Sequence, residues 1–101
     1  MNSRLANDII NQLQANRENY EWSQFRSTNA DIGEFTCVTI GNDVYPVTPI
    51  QSYTTIVAFF NWDTAEFVEV GKYSRTTSRQ VTQIHNSEYS SFKRVYFDKI
   101  R

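Results

Sequence analysis

Cysteine, histidine and glycine are scarce in this chain, and each scarcity closes off a class of answers. One cysteine, Cys37, leaves no partner for an internal disulfide, and with one histidine, His85, the ligands of a structural zinc site are missing. The three glycines, Gly33, Gly41 and Gly71, stand far apart, so there is no glycine-rich loop to cradle a phosphate. No apolar run approaches the roughly 20 residues that span a bilayer, so no membrane partner is expected. The start, "MNSRLANDIINQLQ", has neither a long apolar stretch nor a small-residue cleavage site, and the chain carries no Asn-x-Ser/Thr sequon. These absences lead to the expectation of a soluble, cytoplasmic protein with no metal and no cofactor.

What is present belongs to a folded domain. Residues 1–101 suffice for one hydrophobic core and not for two, so they read as a single domain. Hydrophobic residues make up 40% and charged residues 21%, a globular rather than a disordered balance. Seven Phe, six Tyr and two Trp supply much area to bury, and the same rings also suit a binding face. The net charge of −1 hides a split. Residues 1–70 hold three arginines against nine acids, a net of −6, while residues 71–101 hold seven cations against Glu88 and Asp98, a net of +5. Either the halves pair in the fold or they present faces of one sign to partners.

Along the chain, Leu5, Ile9 and Leu13 recur at helical spacing with Ile10 alongside, predicting a helix over 3–16 capped by Asn2 or Ser3. "NRENYEWSQFRSTNADIGE" breaks that period and reads as a short helix or a loop pinned by Tyr20, Trp22 and Phe25. From Phe35 the signals turn to strand. "FTCVTI" and "VYPV" flank a turn at Gly41–Asp43, and Pro46 and Pro49 should confine the returning segment to an edge or end it early. In "SYTTIVAFF", Ile56, Ala58 and Phe60 are expected on one face and Val57 and Phe59 on the other, as in a central strand. "EFVEV" adds a strand with Val68 and Val70 inward and Glu66 outward, closed by Gly71. A second helix is predicted over Thr76–Asn86, with Thr77 and Gln80 as a capping box, and "SSFKRVYFDKI" favours a last strand by its Val, Tyr and Phe content. The fold expected is α+β: a small antiparallel sheet of about four strands, flanked by an N-terminal helix and a second helix after the last hairpin.

No catalytic constellation stands out, and the chain does not read as an enzyme. His85 lies beside the Val81/Ile84 stripe and Cys37 within an apolar run, so both are expected in structural, largely buried positions. Glu66 and Glu69 point to opposite faces of a strand, poor geometry for shared acid–base work. The stretch "KYSRTTSRQ" is the best candidate for anion binding, through Tyr73, Arg75, Thr76, Thr77, Ser78 and Arg79. With Thr77 as the cap, Arg75 and Arg79 both sit at the positive end of the helix dipole, which costs about 0.3–1 kcal/mol each. An anion would reconcile them: internally Glu66 or Glu69, externally a nucleic-acid backbone or an acidic partner. Trp62 and Asp63 at the tip of a hairpin, with Glu66 and Glu69, are the candidate partner-binding residues, since tryptophan is enriched in binding hot spots. A nucleic-acid module using Lys72, Arg75, Arg79, Lys93 and Arg94, with Tyr73 and Tyr96 for stacking, is the alternative, against an overall pI of 5.7.

The run "SYTTIVAFF … VGKYSRTTSRQVTQI" resembles a small domain of unknown function found in proteins of bacteriophages and other mobile elements. The likeness covers residues 52–84 and rests on Ser52, Tyr53, Thr55, Tyr73, Ser74, Thr76, Thr77 and Ser78, with Gln80 where a histidine is frequent. It implies an accessory protein acting in the cytoplasm of a bacterial host. By analogy with small accessory proteins of that kind, it implies binding to, and inhibition of, a host protein such as a defence or nucleic-acid-processing factor.

Overall fold

A computed structural model describes residues 1–100 and places two helices on opposite faces of one sheet. Helix α1 (Ser3–Ala15) starts as its sequence predicts: the Asn2 side chain accepts from the Leu5 N–H at 2.9 Å. Its apolar stripe of Ala6, Ile9 and Leu13 is buried against the sheet. No helix among the described residues is long and apolar enough to cross a membrane.

The sheet has seven strands, not about four: β1 (Trp22–Gln24), β2 (Ala30–Gly33), β3 (Thr36–Ile40), β4 (Asp43–Ser52), β5 (Thr55–Asn61), β6 (Glu66–Val70) and β7 (Lys93–Phe97). Their order is β1-β2-β4-β5-β6-β7, with β3 also paired to β4. Two of the extra strands, β1 and β2, come from the segment read as helix or loop. They are too short to show an alternation, and long-range pairing holds them, β2 through Ala30 opposite Ser52. Strand β7 lies parallel to β6 through helix α2 (Arg75–Glu88), a β-α-β crossover at the end of an otherwise antiparallel sheet.

Strand β4 also departs from expectation, being ten residues long and paired along both sides despite its two prolines. On one side β3 and β2 share it end to end. Read along β4, the pairing with β3 ends at Val47 opposite Thr36, and that with β2 begins at Ile50 opposite Ile32. Pro49, which has no N–H to give, falls in the gap between them. Gly33 closes the gap: a Cβ there would stand 2.6 Å from Pro49 Cγ and 2.9 Å from the Trp22 ring.

Strand β5 is central, as predicted, but its faces are not those of simple alternation. Ile50 pairs with Ala58 and Gln51 with Ile56, so Val57 is an extra residue in a β-bulge. The bulge reverses the pattern at its start. Ile56 joins Phe59 on the α1 side, with Val68 and Val70, while Val57 joins Ala58, Phe60 and Phe67 on the α2 side. Glu66, expected outward, shares the face of Val68 and Val70 and is half-buried. Cys37, expected buried, is exposed; Val38 takes the inward position, and α2 does not reach the face of β3 on which Cys37 lies.

Strand β5 begins before β6 reaches it, since their last pair is Ala58 with Glu69. Side chains replace the missing strand. The Ile56 N–H donates to Gln14 Oε1 at 2.8 Å, and the Tyr73 hydroxyl meets the carbonyls of Val57 and Val70. Tyr73 also accepts from the Val70 N–H at 3.1 Å, so one half-buried phenol holds both the bulge and the exit from β6.

Candidate functional site

The helix start proposed for anions is built one turn earlier than its capping box predicts. Ser74, not Thr77, is the cap of α2, accepting from the Thr77 N–H at 3.2 Å. The Thr77 hydroxyl turns inward to the hydroxyls of Ser74 at 3.1 Å and Ser52 at 3.3 Å, tying the helix to the end of β4. Arg75 therefore occupies the first helical position and Arg79 the next turn, both exposed, beside exposed Thr76 and Ser78. Tyr73 is committed to the backbone of β5 and β6, and burial pushes its phenol well above the usual range.

Neither Glu66 nor Glu69 pairs with these arginines. Glu69 is buried and receives a forked bond from Arg94, at 3.0 Å from Nε and 2.8 Å from Nη2, while Arg94 Nη1 donates to Thr82 of α2 at 3.0 Å. That bridge is the one ion pair between the two halves of the chain among the described residues. Several of the remaining charges are set apart by the strand order, although Arg17 and Arg26 flank β1 and Asp98 follows β7. Glu18, Glu21, Asp31 and Glu34 lie at the β1–β2 edge, and Lys72, Arg75, Arg79, Lys93 and Lys99 lie around β7 and the start of α2. Arg101 lies outside the described residues.

At the other end of the strands, the turn from β5 to β6 carries the other predicted pair, Trp62 and Asp63. Trp62 is 40% exposed yet fixed, since its indole N–H donates to Thr48 Oγ1 at 2.8 Å. Its ring meets Tyr89 and Phe92 edge-on, with centroids 5.5 and 5.1 Å apart, and Phe35 at 6.3 Å. Phe60 lies beneath, packed on Tyr89 and Phe92, and Phe35 is 57% exposed. The result is an aromatic patch drawn from three connections of the fold. Phe35, Tyr89 and Phe92 carry no signal in the sequence, because only the tertiary fold brings them to Trp62.

Carboxylates border the patch. Asp63 follows Trp62, Glu34 precedes Phe35, and a cleft of about 430 Å³ reaching Tyr89 is lined by Glu21, Glu34 and Glu88. Arg26 also lines that cleft, donating to Ser87 Oγ at 2.7 Å and covering the Phe25 ring at 4.8 Å. Lys93 is in the register of β7 that faces away from this side, along with Phe97. His85 is 9% exposed beneath the region, stacked on Phe67, with Nε2 donating to the Phe92 carbonyl at 2.6 Å. That bond fixes the loop carrying Phe92. Among the described residues no group of His, Cys, Asp and Glu is arranged to hold a metal ion.

Comparison with curated proteins and with solved structures finds no match. A family of unknown function, DUF8033, matches residues 9–99, nearly the whole of the α1–sheet–α2 unit described above, and the chain belongs to that family.

Proposed function

We propose that this chain is a non-enzymatic binding protein that docks on, and blocks, a basic surface of another protein through the Trp62 patch. The resemblance of residues 52–84 to a bacteriophage domain extends the reading to an accessory protein that inhibits a host factor, such as a defence or nucleic-acid-processing protein. One observation carries it: an exposed tryptophan already held in its rotamer by Thr48, Tyr89 and Phe92, within a rim of carboxylates. A pre-ordered aromatic anchor loses little entropy on binding, and such anchors dominate interface energetics. The carboxylates of Glu34, Asp63 and Glu88 match a cationic partner and would speed encounter with it.

A tagged protein used as bait in bacterial lysate, with and without nuclease, tests the reading when wild type is compared with Trp62→Ala and with Glu34→Lys/Glu88→Lys. The expected result is a stoichiometric protein that survives nuclease. Its affinity, measured with purified partner, should fall about 30-fold or more in Trp62→Ala, the loss of a hot spot worth about 2 kcal/mol. Equal affinity in the variants would overturn the patch. A second reading, nucleic-acid binding, is favoured by Arg75 and Arg79, which have no carboxylate partner among the described residues. Recovery of nucleic acid, with loss of affinity in Arg75→Ala/Arg79→Ala and a steep salt dependence, would replace the first reading with it.

A further inference from the structure

A cavity of about 680 Å³ lies at the opposite end of β5 from Trp62. It exists because β5 outruns β6. Past Ala58 no strand covers β5 on that side, and at Gly71, with φ of +84°, the chain turns off toward α2. The polar backbone exposed by this notch is already satisfied, so an added strand has nothing to pair with there. Gln14 holds Thr54 and Ile56, and Tyr73 holds Val57. Across the notch Asn7 grips the segment after β7, donating to the Asp98 carbonyl at 3.4 Å and accepting from the Ile100 N–H at 3.1 Å. Two carboxamides of α1 thus fix the walls.

A third carboxamide does not take part. Asn11 falls between Asn7 and Gln14 on the same helical face, lines the cavity, and makes no hydrogen bond to a described residue through its side chain. Two lysines line the same cavity. Lys72 directly follows Gly71, and Lys99 packs on Gly71 itself, where a Cβ would come within 3.5 Å of Lys99 Cβ. Neither lysine forms an ion pair with a described residue. One carboxylate, Asp98, lines the same space, leaving these three groups at net +1. Ile10, Ile56 and Val70 supply an apolar floor.

The geometry points to a binding site for a small organic anion, its carboxylate or phosphate head between Lys72 and Lys99 and its apolar body on the Ile10–Ile56–Val70 floor. With two lysines against one carboxylate the cavity keeps a net positive charge, which an anion would neutralise. Asn11 can donate to the head, while the Tyr96 hydroxyl, on another residue lining the cavity, is engaged with Asp98. The volume lies within the range of about 300–1,000 Å³ common to small-molecule sites. This site is independent of the Trp62 patch.

Titration of the full chain with octanoate, adenosine monophosphate and inorganic phosphate, followed by ¹H–¹⁵N correlation spectra, tests it. Octanoate or the nucleotide should shift the amides of Asn11, Gly71, Lys72 and Lys99 with a Kd below about 1 mM. Lys72→Ala/Lys99→Ala should weaken that binding at least tenfold. Asn11→Trp, at an exposed helix position, should abolish it by filling the cavity while Tm stays unchanged. The two organic probes distinguish a carboxylate from a phosphate source. Absence of shifts with both would overturn the proposal. So would shifts confined to Arg75 and Arg79, binding unchanged in both variants, or inorganic phosphate binding as tightly as either organic anion.

Discussion

Tyr73→Phe removes one oxygen and tests how the fold tolerates an incomplete strand pairing. The Tyr73 hydroxyl accepts from the Val70 N–H and lies against the carbonyls of Val57 and Val70. Phenylalanine keeps the ring in place and leaves the bulge carbonyl and the Val70 N–H without that partner. Each buried polar group so orphaned costs about 1–3 kcal/mol. Because the residue is only partly buried, the low end applies, and the variant should lose about 2–3 kcal/mol in all. For a domain of this size each kcal/mol lowers Tm by about 4–8 °C, so the fall should be about 8–24 °C.

The same phenol predicts a pH dependence of stability in the wild type that the variant lacks. Burial is the main cause of its raised pKa; the Val70 hydrogen bond lowers it, and Glu69 and Tyr96 raise it further. A proton held more tightly in the folded state stabilises it fully below the unfolded value of about 10, and that contribution fades as pH rises toward the folded value. The loss is about 1.4 kcal/mol per pH unit in that window. Tyr20, Tyr89 and Tyr96 are also raised, but they are common to both proteins and cancel in the difference. Urea denaturation followed by circular dichroism should therefore give a gap of about 2–3 kcal/mol at pH 8 that shrinks to about 1 kcal/mol at pH 11. A gap below about 0.5 kcal/mol at pH 8, or one that does not move with pH, would refute the role assigned to the hydroxyl.

Two further substitutions probe the sheet. Gly33→Ala places a methyl group against Pro49 and Trp22, both rigid rings, and should cost about 1–3 kcal/mol in thermal denaturation; a neutral result would mean that β2 can move away from β4. Arg94→Met leaves the Glu69 carboxylate buried without its forked partner and should cost about 1–3 kcal/mol, discounted because Arg94 is itself partly exposed, with much of the loss recovered in Glu69→Leu/Arg94→Met. Failure of the double variant to recover would assign the loss to the bond with Thr82 or to side-chain packing instead.

What the sequence reveals follows from the range of the interactions that decide each feature. Helix α1 and the strands β3, β5 and β6 are legible as elements because their own residues repeat at 3.6 or 2, although only α1 keeps its expected face throughout. The register of β5 is not legible. Its bulge is set by Gln51 and Ile50 across the ladder and by a phenol 16 residues further on, so "SYTTIVAFF" alone suggests the wrong partition of faces. Strands β1 and β2 are hidden for the same reason: three and four residues cannot display a period, and their burial depends on β4. Prolines mislead in β4 because the rule against proline in a central strand assumes one continuous neighbour on each side, and here two strands meet where Pro49 has nothing to donate.

The candidate sites divide along the same line. Trp62 can be picked out as a residue at a turn, but its rigidity belongs to Thr48, Tyr89 and Phe92, which no local pattern connects to it. Arg75 and Arg79 are visible as cations at a helix start, whereas the fate of Glu69 is not, because Arg94 lies 25 residues away on a strand parallel to its own. Charge follows this logic at the scale of the whole chain. The acidic and basic parts were open to mutual neutralisation, yet strand order carries many of these charges to opposite edges of one sheet and, among the described residues, leaves a single bridge between the two parts. The lysines beside Gly71 form no ion pair with a described residue, and they and the carboxylates beside Trp62 face different ends of the molecule. Two contacts of opposite sign can therefore form at once without competing for the same surface.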